Sequence, residues 1–240
     1  MCGRYVMSRA TGDLLRHFEA RDVEGSPQPS SWNVAPTRDV PIIAERLDED
    51  AVERRLLIAR WGLVPSWAKE VKIGSKLINA RSKSILDKPA FRKAAVKRRA
   101  LIPAAGCYEW EKIPDGKKIP YYLHSGKNEL LAFAGLYEFW PDPSLPEGDP
   151  HRWLLSCTVL TTTAHDSRCH VHDRAPVIVP PEMFHDWLNP GTTDKTEVQK
   201  ILDTIPEPVL TPRVVTDQVN SVRNNGPELI DPATHLTHIS

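Results

Sequence analysis

Apolar residues in this 240-residue chain recur in short blocks and alternations more often than at helical spacing. VPIIAER (40–46), RRLLIARWG (54–62) and LINAR (77–81) read as strands. Further along, ALIPA (100–104), CYEWE (107–111), PYYLH (120–124), LLAFAGLYEFW (130–140) and WLLSCTVLTTT (153–163) form a second series. The turn signals PDGK and SGKN stand between members of that series, as in hairpins. RVVT (213–216) is a last strand ahead of a polar tail. Helical spacing is confined to a few places. Thr11 is a candidate N-cap for a helix carrying Leu14, Leu15 and Phe18 on one face. Pro89–Val96 reads as a helix with Phe91 and Val96 inward, and Pro181–Leu188 and Asp194–Ile205 as two more. EGSPQPSSWNVAPT (24–37) and WPDPSLPEGDPHRW (140–153) read as loops, the second on the surface. There is no βαβ rhythm, internal repeat or dividing linker. The pattern predicts an α+β fold in one domain spanning 1–240: a central antiparallel, barrel-like sheet with peripheral helices and a tail over 231–240.

Composition changes this picture little, and charge changes it more. With 40% apolar and 26% charged residues, the chain can bury an ordinary core. No apolar run approaches the roughly 20 residues needed to span a bilayer. MCGRYVMSRATGD lacks a secretory pattern, so a cytoplasmic or nucleoid-associated protein is expected. The four cysteines (Cys2, Cys107, Cys157 and Cys169) are widely spaced and form no CxxC, which fits neither a disulfide scaffold nor a zinc ribbon. Net charge is zero, yet residues 54–99 carry fourteen Lys and Arg against two acidic residues. Such a segment is either a phosphate-binding face or a solvated basic surface balanced by acidic neighbours. Nothing resembles GxGxxG or a Walker loop, and no cofactor is expected.

Four places carry candidate chemistry. Once Met1 is removed, Cys2 becomes a 1,2-aminothiol, whose amine and thiol can capture an aldehyde in a five-membered thiazolidine ring. Without other support, the reading as a small residue near a frayed terminus prevails. Gly3 and Arg4 follow it, a flexible step and a bidentate phosphate grip. Asn79 and Arg81 in LINAR offer an amide to orient a hydroxyl or amine and a guanidinium for phosphate, or a turn cap. Strand alternation puts Cys107 and Glu109 on one face, with Tyr108 and Trp110 on the other. There Glu109 is either a carboxyl with a raised pKa, suited to moving protons, or an exposed strand residue backed by aromatics. CHVHDRAPVIV holds His170, His172, Asp173 and Arg174, with histidine the proton carrier suited to neutral pH. A metal site on Cys169, His170 and His172 lacks further ligands nearby, so no metal is expected.

The stretches MCGRY, WNVAPT, WGLVPSWAK, LINARSKS, LIPAAGCYEW, AGLYEFW, CHVHDRAPVIV and VNSVRNNGPEL together resemble the SRAP (SOS response-associated peptidase) family, over residues 2 to about 230. The resemblance implies a protein that joins Cys2 to the ring-opened aldehyde of an abasic site in single-stranded DNA. It further implies removal of its own Met1 and a possible lyase activity. Carried over by motif, Cys2 is the nucleophile, Asn79 holds the reacting sugar or amine, Glu109 transfers protons and His172 manages the sugar hydroxyl. Arg4, Arg81 and Arg174 hold phosphates, while Asn33, Pro36 and Trp67 shape the strand path, Trp67 by base contact. The expected partners are single-stranded DNA with abasic sites and replication-fork proteins, with no membrane, and the protein is expected to be a monomer. Two other classes share these residues: a cysteine peptidase or amidohydrolase acting on other proteins through Cys2, and a non-catalytic DNA-binding module.

Overall fold

The computed structural model describes residues 2–23, 25, 28–48, 51–114, 116–164 and 173–233. Along the chain lie β1 (Tyr5–Met7), α1 (Thr11–Phe18), β2 (Arg21–Asp22), β3 (Ser31–Val34), β4 (Asp39–Asp48), β5 (Ala51–Trp61), β6 (Asn79–Arg81) and α2 (Arg92–Lys97). They are followed by β7 (Arg99–Ala104), β8 (Gly106–Lys112), β9 (Lys118–His124), β10 (Leu131–Pro141), β11 (Trp153–Thr163), β12 (Arg174–Pro176), α3 (Phe184–Leu188), α4 (Lys195–Thr204) and β13 (Thr211–Val214). This is the expected α+β class.

Hydrogen bonding runs β11-β10-β7-β4-β5, and β5 pairs with β11 again, so five strands close a ring. A closed ring with an odd number of strands cannot be antiparallel at every joint. Here the parallel joint is β5 with β11, where Ser156 faces Arg60 and Cys157 faces Trp61. The ring is buried on both of its faces, with the neighbouring pairs Ile42 and Ile43, and Leu101 and Ile102, fully buried along with Phe133 and Val159. Trp61 and Phe133 meet the Tyr5 ring edge-on at centroid distances of 5.2 and 6.2 Å. A second sheet, β13-β9-β8-β1-β3, holds the N-terminal strand between β8 and β3. Tyr5 faces Cys107 on one side and Val34 on the other. The start of the chain is therefore an inner strand.

Glycine makes the connection after β5 possible. Gly62 has φ +128°, and a Cβ there would lie 2.6 Å from the Gly74 carbonyl oxygen. The loop packs back at this point, and Leu63 N–H bonds to Leu77 O. Trp61 Nε1 donates to Ile78 O at 2.9 Å, fixing the residue just before Asn79. Outside the ring, Arg99 donates to the carbonyls of Ala95, Trp187 and Asn189, tying α2 to α3. Burial pushes its guanidinium down to about 10.

Several boundaries differ from those read in the sequence. Ala10 is the N-cap of α1 and Thr11 is already helical, its hydroxyl accepting from Gln28 N–H. Residues Lys88–Phe91 form a turn (Phe91 N–H to Lys88 O, 2.9 Å), so α2 starts at Arg92 rather than Pro89. Residues 31–34, read within a loop, form β3 because β1 pairs with them; tertiary pairing overrides local turn composition. The first turn of Pro181–Leu188 is 3₁₀, and α3 begins at Phe184. Part of the polar C-terminal stretch is structured as 3₁₀ turns, Asp217–Asn220 and Pro227–Ile230, with Val219 and Leu229 fully buried. Among the described residues no helix is long and apolar enough to cross a membrane.

Candidate functional site

Cys2 precedes β1 and is fully buried, a place a frayed terminus would not occupy. Asn79 Nδ2 donates to the Cys2 carbonyl at 2.7 Å. Asn79 is positioned by β6, which runs parallel to β11 with Asn79 opposite Val159 and Arg81 opposite Thr161. Its other amide atom, Oδ1, is buried and has no hydrogen-bond partner among the described residues. A buried acceptor left open costs roughly 1–3 kcal/mol, a penalty that a donor on a bound molecule would relieve.

Glu109 lies on β8 and is only 3% exposed, which excludes the exposed-strand reading. Burial raises its pKa, and the negative charge of Asp173 raises it further. Alternation along β8 is as expected: Cys107 belongs to the main core, whereas Tyr108 packs in a separate cluster with Val6 and Tyr122, and Trp110 lies against that cluster. The influence of the Cys2 thiol, together with burial, pushes the Cys107 thiol well above the ordinary thiol range. His172, with Cys169 and His170, lies outside the described residues.

Beside Asn79 opens a cavity of about 630 Å³ whose lining includes Arg81, Lys83, Lys88, Phe91, Thr161 and Arg174. Arg174 donates to the Thr161 carbonyl and hydroxyl, each at 2.7 Å. Burial and the charge of Arg81 lower its pKa, a sign that two guanidiniums crowd one place. Like charges held together from two strands that both pair with β11 form a seat for an anion. Other predicted residues sit elsewhere. Arg4 packs over Trp110 at 5.7 Å and donates to Asn33 Oδ1 and Val219 O. Asn33 is 5% exposed, and its Nδ2 donates to the carbonyls of Val219, Ser221 and Asn224. Both side chains are thus engaged in holding the C-terminal turns. Pro36 stands in the turn before β4, next to Thr37, whose φ is +70° and whose N–H bonds to Trp61 O. Trp67 is 60% exposed in a groove with Lys69, Lys72 and Lys76, apart from the Asn79 cavity.

The family described as SOS response associated peptidase (SRAP) matches residues 1–222. The chain belongs to the SRAP family. Among its relatives, "Abasic site processing protein YoqW" of Bacillus subtilis is 40% identical over 233 residues, covering 96% of this chain and 99% of that protein. "Abasic site processing protein HMCES" of Gallus gallus is 30% identical over 269 residues, covering 97% of this chain and 78% of that protein. A crystal structure of a Bacteroides thetaiotaomicron protein shares the fold, with TM-score 0.78, 24% identity and coverage of 97% and 100%. In this SRAP chain the structure sets Asn79, Arg81 and Arg174 around one cavity and joins Asn79 to Cys2 by a hydrogen bond. Sequence reasoning missed Lys83, Lys88, Phe91 and Thr161 as lining of the same cavity. Lys83 and Lys88 were within sight in the basic segment, but Phe91 and Thr161 carry no such signal.

Proposed function

We propose that this SRAP protein processes abasic sites in single-stranded DNA by joining Cys2 covalently to the exposed sugar aldehyde. The observation that carries the reading is the placement of Cys2 in a buried site. Asn79 grips its carbonyl at 2.7 Å, Glu109 is enclosed on β8, and two arginines flank the neighbouring cavity. The names of the relatives supply the substrate class: both are abasic site processing proteins.

The chemistry runs in balanced steps. Loss of Met1 frees the Cys2 α-amine, and Glu109 and His172 assist that hydrolysis. The amine adds to the aldehyde carbon of the ring-opened sugar and gives a hemiaminal. Protonation of the hemiaminal oxygen expels water and leaves an imine, for which a carboxyl whose pKa burial raises is a suitable acid. The Cys2 sulfur then attacks the imine carbon, its proton passes to the nitrogen, and a thiazolidine closes. Asn79 orients the amine end through the Cys2 carbonyl and offers its open Oδ1 to a sugar hydroxyl. Arg81 and Arg174 receive the flanking phosphate, and Trp67 stacks on a base farther along the strand.

The deciding experiment mixes Met1-free protein with single-stranded DNA carrying one abasic site, and resolves the products on a denaturing gel. A slow-migrating covalent species should form and vanish in Cys2→Ala. Hydrolysis of a peptide that depends on Cys2, with no such species, would make the protein a peptidase. Equal binding of intact and abasic strands without crosslinking would make it a binding module.

A further inference from the structure

The cavity beside Asn79 gathers more positive charge than one internal strand phosphate balances. Arg81, Lys83, Lys88 and Arg174 line it, and none of the described lining residues is acidic. Asp173 offsets Arg174 in part. The two arginines come from opposite sides of β11: Arg81 of β6 stands opposite Thr161, and Arg174 of β12 opposite Thr163. Thr161 is 1% exposed, and its carbonyl and hydroxyl each hold the Arg174 guanidinium at 2.7 Å. Asn79 lines the same space, with Nδ2 on the Cys2 carbonyl and a buried Oδ1 open to a donor. The volume, about 630 Å³, lies within the roughly 300–1,000 Å³ of small-molecule sites. Phe91, the one aromatic among the described lining residues, is 7% exposed and too enclosed to stack a base. Trp67 belongs to a separate groove.

An internal phosphodiester carries one negative charge. A phosphate monoester carries about −1.5 to −2 at pH 7 and accepts paired bonds from arginine. We infer that the site has a second class of substrate: free sugar aldehydes bearing a phosphate monoester, captured by Cys2 with neither a strand nor a base. This rests on the aldehyde chemistry proposed above. The monoester sits between Arg81 and Arg174, and a sugar hydroxyl donates to Asn79 Oδ1. The Cys2 amine adds to the aldehyde carbon, and the carbinol oxygen leaves as water. The Cys2 sulfur then closes on the imine carbon while its proton moves to nitrogen. One C–N and one C–S bond form, the C=O bond breaks, one water is released, and no oxidant or reductant is needed.

The test incubates full-length, Met1-free protein with 2-deoxyribose 5-phosphate or with 2-deoxyribose and follows intact mass. Phosphorylation blocks the 5-hydroxyl and alters the open-chain fraction, so each rate is divided by that of free cysteine with the same sugar. The product should be a one-to-one adduct, sugar less one water, on the Cys2 peptide and absent in Cys2→Ala. The normalised rate should favour the phosphorylated sugar by about tenfold or more. That preference should largely disappear in Arg174→Gln, with Arg81→Gln as a second variant should the first fold poorly. No adduct, an adduct away from Cys2, equal normalised rates, or a preference that survives in both arginine variants would overturn the proposal. If the abasic strand still crosslinks in those cases, the function proposed above stands and only the second substrate class falls. If neither strand nor sugar reacts, both fall.

Discussion

Glu109 shows how a single residue acquires a task from its surroundings. A strand glutamate at the surface would ionise in the usual carboxylate range, but burial and Asp173 move this one upward. With the folded pKa raised, the native state holds the proton more tightly than the unfolded chain. That stabilisation is complete below the unfolded value of about 4.3 and is lost as pH rises through the folded value. Glu109→Gln, neutral throughout, should therefore melt higher than wild type at neutral pH, with the gap closing towards pH 4 in thermal scans. The same variant should crosslink about 100-fold more slowly. Wild type should also lose rate as pH rises through the Glu109 pKa, a limb that Gln lacks. Asn79→Ala tests positioning: losing the grip on the Cys2 carbonyl should slow crosslinking by about 10- to 100-fold in single-turnover assays. Residue types at these positions were readable from the motifs. The enclosure of Glu109 was not, because it follows from the pairing of β8 with strands distant in sequence, which no local pattern encodes.

Among the elements, the β8–β9 hairpin was the most legible, from alternation and the PDGK turn between its strands, whereas the SGKN turn, read as a hairpin signal too, joins β9 to β10 across two different sheets. The β3 strand and the turns after β13 were read as loop and polar stretch, since their partners lie some 190 residues away. Asn225 Oδ1 accepts from Trp32 N–H at 2.7 Å, Asn33 N–H at 3.1 Å and Ser31 Oγ at 3.0 Å. Asn33 returns three bonds to carbonyls of residues 219–224. The motif VNSVRNNGPEL is thus a clasp on the strand beside β1, and its paired asparagines are backbone mimics. Removing the Asn225 amide leaves two β3 amide donors without their acceptor. Asn225→Ala should cost about 2–3 kcal/mol in urea unfolding. Limited proteolysis should cut between residues 217 and 230 earlier than in wild type, and crosslinking should weaken through displacement of Arg4 and β1. Equal proteolytic half-lives would show that the clasp is passive.

For the whole molecule, the basic segment divides into two uses that sequence counting merges. Arg54 pairs with the 3%-exposed Glu45 side chain at 2.8 Å, Arg55 with Glu53 and Asp48, and Arg98 with Glu138 at 2.9 Å, while Arg99 is buried. These four arginines hold the ring and its helices together. Lys69, Lys72 and Lys76 stand around Trp67, whereas Arg81, Lys83 and Lys88 line the Asn79 cavity. Part of the acidic complement is thus taken up by the structural arginines, and under the proposed function the cations around Trp67 and Asn79 are the ones that would meet a backbone phosphate. The two groups respond differently to substitution. Arg81→Ala should weaken binding to single-stranded DNA and reduce the slope of log K against log salt by about 0.7, the loss of one phosphate contact. Arg54→Met should leave that slope unchanged and instead destabilise the fold by about 3 kcal/mol, because Glu45 loses its buried partner. Fluorescence-anisotropy titrations across a salt series, run beside urea unfolding of both variants, measure the two effects. If Arg54→Met flattened the salt slope as much as Arg81→Ala, the basic segment would act as one diffuse field, and the division between structural and phosphate-facing arginines would fail.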